Sequence, residues 1–349
     1  MTITYNASLI TGERPEFIEE CHLVIEGEEI VEVGNGQVSD GLDFAEYVIL
    51  PSLFNAHVHL GDSFAKEGVL GLNPEQAVGP EGKKWELFKQ KNADVQKEAI
   101  KETLDYMLSS GTRGCVDFRE EGKEGVRILR EVSKEVPLEV IILGREDGIE
   151  EADGAGLNVY GIGQVPSNIK VAIHAGEDRG EVEKALKHDP DTIVHFTKGT
   201  KEDVLDAASK GVSVVVCPRA NAALGVGFPP IRELLDAGVK VALGTDNVMV
   251  NQPNLWREME YLSKTSYVHE PVTPEEVFSM ATLNGNKIFG LEGGVIGEGK
   301  RADLIFLDKR AANLRHTKNP LATIIHRTEP ENVMKVMVAG KIVLDKEAK

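Results

Sequence analysis

Between residues 50 and 290 the chain alternates short apolar, β-branched runs with segments of helical period, and this alternation constrains the fold more than any other feature. Eight runs read as strands: YVILPSLFNA (47–56), TRGCVDF (112–118), LEVIILG (138–144), LNVYGIG (157–163), KVAIHA (170–175), TIVHF (192–196), VSVVVC (212–217) and VKVALGT (239–245). The segments between them carry helical stripes. Val95, Ala99, Ile100, Leu104, Met107 and Leu108 fall on one face, and Gly111 follows as a C-cap. Eight βα units over about 240 residues predict an α/β fold of the TIM (β/α)8 barrel type, whose usual size is about 250 residues.

The flanks, 1–50 and 291–349, read as strands rather than helices. HLVIEGEEIVEVGNG has the alternation of a hairpin, and ADLIFLD with VMKVMVAGKIVLD repeats that style at the other end. Neither flank alone supplies a core. The expected organisation is therefore a barrel over 51–290 and a small composite β-sandwich domain built from 1–50 and 291–349.

Charge narrows the partners. Thirty-nine Lys and Arg against 57 Asp and Glu give a net charge of −18, which disfavours nucleic acid and anionic membrane surfaces and leaves a small-molecule substrate as the expected partner. No stretch approaches the roughly 18 consecutive apolar residues of a membrane span. Cys21, Cys115 and Cys217 are widely spaced, and the N-terminal stretch lacks the basic-then-apolar order of a signal peptide, so a reduced, cytoplasmic location is expected. A homodimer is the ordinary expectation for a soluble enzyme, although no apolar stripe marks an interface.

Histidines fall where a barrel enzyme would use them. His57 and His59 follow the first strand run, His174 lies at the end of the fifth and His195 at the end of the sixth. Residues two apart on a strand face the same side, so His57 and His59 form a ready chelating pair. Asp246, in ALGTDN, ends the eighth, and strand C-termini form the face on which barrels build their sites. Singly, each could be a structural residue or a cap. Together, imidazoles and a carboxylate suit Zn²⁺ or Fe²⁺ and leave a coordination position for water.

In order along the chain, PSLFNAHVHLGD, HAGE (174–177), IVHF, CPRAN and GVGFPPIRELLDAGVKVALGTDN resemble the strand-end motifs of the amidohydrolase superfamily, especially its branch of heterocycle aminohydrolases that includes guanine, cytosine and S-adenosylhomocysteine deaminases. IGEGKRADLIFLD and the terminal VMKVMVAGKIV resemble its composite β-sandwich. The resemblance implies that His57, His59, His174 and Asp246 hold one divalent metal ion, zinc ahead of iron(II). It also implies that Glu177 shuttles protons and that His195 orients water or substrate. An acid at the start of GEDRGEVEKAL would equally suit a helix N-terminus. Two-metal members bridge their ions with a carboxylated Lys or a Glu on an interior strand. LNVYGIG offers neither, which leaves Glu146 and Asp147 as the residues able to overturn a one-metal reading.

Departures from that pattern bear on the substrate. Ala220 stands where the named deaminases usually have Ser, and Arg119, Arg145 and Arg219 end strands two, three and seven. Three guanidinium forks at one mouth would bind a carboxylate or phosphate, unless they pair with nearby acids such as Glu120, Glu146 and Asp147. Lys83, Lys84 and Trp85 lie in a long segment, roughly 60–92, that could close the mouth as a lid. Gly61 and Asp62 read first as turn residues, and Asn247, Met249 and Asn251 are expected to line the mouth. The expected function is hydrolytic deamination of a nitrogen heterocycle carrying an anionic group. The alternative is ring opening of a cyclic amide, as in imidazolonepropionase-like relatives. A non-catalytic binding protein on the same barrel would lack a ligand or the proton shuttle, and neither is missing.

Overall fold

A computed structural model describes residues 2–160, 162 and 168–348. Its strands form two sheets. The eight-stranded sheet takes β1 (Thr2–Thr11), β2 (Glu16–Glu26), β3 (Glu29–Asn35) and β4 (Leu42–Pro51) from one end of the chain. From the other end come β14 (Lys300–Arg301), β15 (Leu304–Asp308), β16 (Val333–Val338) and β17 (Lys341–Asp345), in the order β14-β3-β2-β1-β4-β15-β16-β17. β4 is the seam, parallel to β1 on one side and antiparallel to β15 on the other. Tyr5, Leu9, Leu23, Ile30, Ile49, Leu304 and Phe306 from both ends share one apolar cluster, which is the physical reason the ends associate.

The nine-stranded sheet runs β12-β11-β10-β9-β8-β7-β6-β5-β13. Its strands are β5 (Leu53–His59), β6 (Thr112–Arg119), β7 (Glu139–Gly144), β8 (Gly154–Asn158), β9 (Lys170–Ala175), β10 (Thr192–His195), β11 (Ser213–Val216), β12 (Val241–Leu243) and β13 (Asp246–Asn247). From β5 to β12 neighbours follow chain order, and they pair in parallel along β6 to β12 and between β13 and β5. β12 pairs with β11 while β13, two residues further on, pairs with β5, so the last run closes the sheet into a TIM-like barrel. By internal contacts the chain divides into two compact units. One is Met1–Phe54, Tyr106–Arg113 and Leu255–Lys349; the other is Asn55–Asp105 and Gly114–Asn254. Among the described residues no helix is long and apolar enough to cross a membrane.

Two strand assignments change. The run 47–56 is not one barrel strand: it breaks at Ser52, whose N–H donates to the Asp303 carbonyl, so β4 stays in the eight-stranded sheet and β5 starts the barrel and extends through His59. Both pieces are apolar because both are buried, and periodicity cannot divide a continuous apolar run. The fourth strand is Gly154–Asn158 rather than 157–163, of which 161 and 163 lie outside the described residues. Its opening glycines hide it from composition, yet they are required. A Cβ on Gly154 would stand 2.5 Å from the Lys170 carbonyl oxygen of the neighbouring strand.

Closure also depends on Gly244. A Cβ there would sit 2.6 Å from the His57 Cβ and 2.9 Å from its backbone nitrogen, so the eighth run passes β5 without room for a side chain. Thr245 N–H then donates to the His57 carbonyl at 2.9 Å. Gly244→Ala must push strands one and eight apart, and a destabilisation of about 1–3 kcal/mol is expected. Urea unfolding measures it, and an unchanged midpoint contradicts the close approach.

Candidate metal centre

The centre is built at strand ends within the second compact unit. Every residue of β5 is buried, and alternation turns His57 and His59 to one side. His174, near the end of β9, brings its Nε2 to 3.2 Å from His57 Nε2 and 3.3 Å from His59 Nε2. Asp246 Oδ1 lies 3.3 Å from His57 Nε2 and 3.5 Å from His59 Nε2. Donors about 2.1 Å from a tetrahedral zinc stand about 3.4 Å from one another, so these spacings fit a bound divalent ion. One donor each from His57, His174, His195 and Asp246 also falls within 4.8 Å of the others, so His195 belongs to the same cluster.

Backbone conformation aims two of these groups. His195 and Asp246 have φ of 80° and 63°, a left-handed region that non-glycine residues seldom occupy. Such conformations persist where surrounding structure holds them, and they concentrate at functional sites. The His195 ring is fixed by Asn221 Oδ1, 2.9 Å from its Nδ1, and His174 Nδ1 lies 3.1 Å from Asn158 Oδ1. Neither asparagine was singled out from sequence. Asn221 was visible in CPRAN, but Asn158 could be found only after the fourth strand was placed correctly.

Protonation also suits a cation. Burial pushes the His57 imidazole down to about 3, and burial with the neighbouring His57 and Arg145 charges lowers His174. Burial opposes ionisation of Asp246, but its hydrogen bond with His57 and the nearby histidine charges outweigh that and hold it well below the usual carboxylate range. Neutral imidazoles beside an ionised carboxylate are the forms in which metal ligands bind.

Glu177 follows β9, within range of the His195 and Asp246 charges. Burial raises its pKa, the His195 charge opposes the rise and the Asp246 charge adds to it. The loop carrying it is held by Glu181, whose Oε2 accepts the backbone N–H groups of Gly176, Glu177 and Asp178 at 2.9, 3.0 and 3.1 Å. Glu181 therefore stands at a helix start, where an acid was expected.

The three arginines meet different neighbours. Phe118 packs on His57 and His174 with ring centroids 4.4 and 4.6 Å away, so Arg119, next along β6, points to the opposite face. It is fully buried with Nη2 3.4 Å from Glu121, so the acid pairing weighed for it from sequence is formed. Arg219 donates to the Gln252 carbonyl at 3.3 Å. Arg145 is the arginine that meets the histidines, its Nη2 3.5 Å from His174 Nδ1. Glu146 and Asp147 are exposed, and Asp147 accepts the Lys123 N–H at 3.1 Å.

Segment 60–92 folds as a 3₁₀ turn, Leu60–Ala65, and helices Pro74–Val78 and Lys83–Gln90. Ala65, Val69 and Ala77 pack with Leu224, Val226 and Met249, so this segment covers the loops after strands seven and eight, as a lid would. Asp62 is more than a turn residue. Fully buried, it accepts Asn247 Nδ2 at 2.7 Å and the Met249 N–H at 3.0 Å.

A family model described as the amidohydrolase family matches residues 166–343. A Methanothermobacter thermautotrophicus protein provisionally named an aminohydrolase is 33% identical over 390 aligned positions, covering 98% of this chain and 99% of the relative. A 5-methylthioadenosine/S-adenosylhomocysteine deaminase of Pyrococcus abyssi is 28% identical, covering 99% and 94%. Among solved structures, an adenosine deaminase from Xanthomonas campestris with bound zinc superposes with a TM-score of 0.83 at 19% identity, covering 99% of this chain and 93% of that one.

Metal content tests the centre directly. Purified protein is expected to hold one equivalent of divalent metal by elemental analysis, and His57→Ala or Asp246→Ala to weaken binding by more than the roughly 10–100-fold typical of losing an outer partner. Retention of the full equivalent by both variants contradicts the assignment.

Proposed function

The chain belongs to the amidohydrolase family, hydrolases of carbon–nitrogen bonds other than peptide bonds, and from that membership we propose that it deaminates a nitrogen heterocycle bearing an anionic group. The observation that carries the reading is the approach of three imidazole Nε2 atoms and the Asp246 carboxylate to within 3.2–3.5 Å, with Glu177 within range of the Asp246 and His195 charges. His57, His59, His174 and Asp246 would hold the metal, which we take to be zinc, as in the superposed adenosine deaminase. When bound, such an ion supplies Lewis acidity that brings the pKa of water from 15.7 to about 7.

The side chains divide the remaining work. Asp246, ionised at neutral pH, accepts the proton of the attacking water. His195, its Nδ1 engaged by Asn221, presents Nε2 to orient that water or the substrate. Glu177, favoured in its protonated form by burial, gives a proton to the ring nitrogen as water adds to the carbon bearing the exocyclic amine. A proton then passes through Glu177 to the amine, the C–N bond breaks, and ammonia leaves the tetrahedral carbon. Arg145 would bind the anionic group, its planar fork suited to carboxylate or phosphate.

The relatives' names, aminohydrolase and deaminase, lend no support to ring opening of a cyclic amide. We also take 51–290 as the barrel and 1–50 with 291–349 as the composite β-sandwich; the sheet drawn from both ends supports this. A cytoplasmic setting accords with three cysteines that are buried and unpaired with one another.

The test is ammonia release across purines, pyrimidines and their anionic derivatives. Glu177→Gln is expected to lower kcat by about 10²–10⁴-fold with metal content unchanged. Arg145→Ala is expected to raise KM for the anionic substrate while sparing neutral analogues. A new carboxylate without ammonia overturns deamination, and an unchanged KM removes Arg145.

A further inference from the structure

Lys84 is 3% exposed, a rare degree of burial for an ammonium. It reaches inward from the lid helix Lys83–Gln90, and its Nζ lies 2.5 Å from Glu120 Oε1 and 3.3 Å from Asp62 Oδ2. The same Glu120 oxygen is 2.7 Å from His59 Nδ1, and the Phe118 carbonyl oxygen is 3.0 Å from that nitrogen. A carbonyl only accepts, and a carboxylate held by an ammonium is ionised and also only accepts. His59 Nδ1 therefore carries the proton, and the Nε2 lone pair is left facing His174 and Asp246.

We infer that Glu120 and Lys84 are positioning residues for the metal centre, fixing His59 as a ligand and coupling the seating of the lid to metal retention. The inference rests on the reading of His59 as a ligand. One ammonium braces both sides of the centre: through Glu120 it holds His59, and through Asp62 it holds Asn247 and Met249, which follow ligand Asp246. A purely structural ion pair would be an expensive way to seat a helix, because burying three charged groups usually costs as much as their attraction returns. Carboxylates that hold the far nitrogen of a ligating histidine fix its tautomer and raise its basicity.

The experiment measures zinc affinity by competition with a chromophoric chelator, alongside thermal melting of the metal-free protein. Glu120→Gln and Lys84→Met are each expected to weaken zinc binding about 10–100-fold, with the double variant losing less than the product of the two. Lys83→Met, on the exposed side of the same helix, is expected to bind like the parent. Unchanged affinity in Glu120→Gln overturns the proposal. If that variant fails to fold, nitrogen-15 NMR of the parent decides: an Nδ1–H tautomer at His59 supports the inference, and an Nε2–H tautomer overturns it. His57→Ala separates the two readings. Loss of zinc there with affinity retained in Glu120→Gln sinks only this inference, whereas a parent that binds no zinc sinks the metal centre itself.

Discussion

Everything at the mouth of this barrel answers to one electrostatic problem: buried imidazole nitrogens face one another and a carboxylate at little more than 3 Å. Two facing nitrogens can share at most one proton, and burial disfavours charging the rings. Left alone, such a cluster is costly. A divalent cation removes the conflict, because every lone pair and the ionised Asp246 then point at positive charge. The left-handed backbones at His195 and Asp246, and the absence of a side chain at Gly244, read as costs borne to bring these atoms together.

Around that cluster the structure pins ring orientation from outside. Asn221 holds His195, Asn158 holds His174, and Glu120 holds His59, each through the nitrogen that faces away from the centre. The loop with Glu177 is pinned by a different device, three successive N–H groups converging on one oxygen of Glu181. The shuttle role proposed for Glu177 needs a carboxyl whose position is set but whose own oxygens stay uncommitted. Anchoring the backbone rather than the side chain meets both needs.

The inner residues were legible in the sequence because strand geometry makes them so. A two-residue repeat puts His57 and His59 on one side, and strand C-termini bring His174, His195 and Asp246 to one face, so position along the chain predicts convergence. The outer residues were not legible. Glu120 and Arg119 are adjacent acid and base at one strand end, and the choice of which faces the centre turns on the pleat. Phe118 takes the inward position, which sends Arg119 away. Lys84 lies 36 positions before Glu120, on a helix whose docking no local pattern specifies. The strand boundaries missed at Ser52 and Gly154 failed for a related reason, since an unbroken apolar run and a glycine-rich strand both lack the alternation that marks an edge.

Charge economy sharpens the case for an anionic substrate. With 57 acids to 39 bases, nearly any arginine in this chain has a carboxylate to hand, and Arg119 and Arg113 have each found one. Arg145 makes no such ion pair among the described residues: its polar contact is with His174 Nδ1, and its charge acts on buried Glu120 from a distance. That contact is no true hydrogen bond if His174 Nδ1 carries a proton toward Asn158, because both nitrogens would then donate. Its guanidinium thus has an acid in its surroundings but no direct carboxylate partner. A ligand carboxylate or phosphate would satisfy it, one residue's reach from the atoms proposed to carry the chemistry.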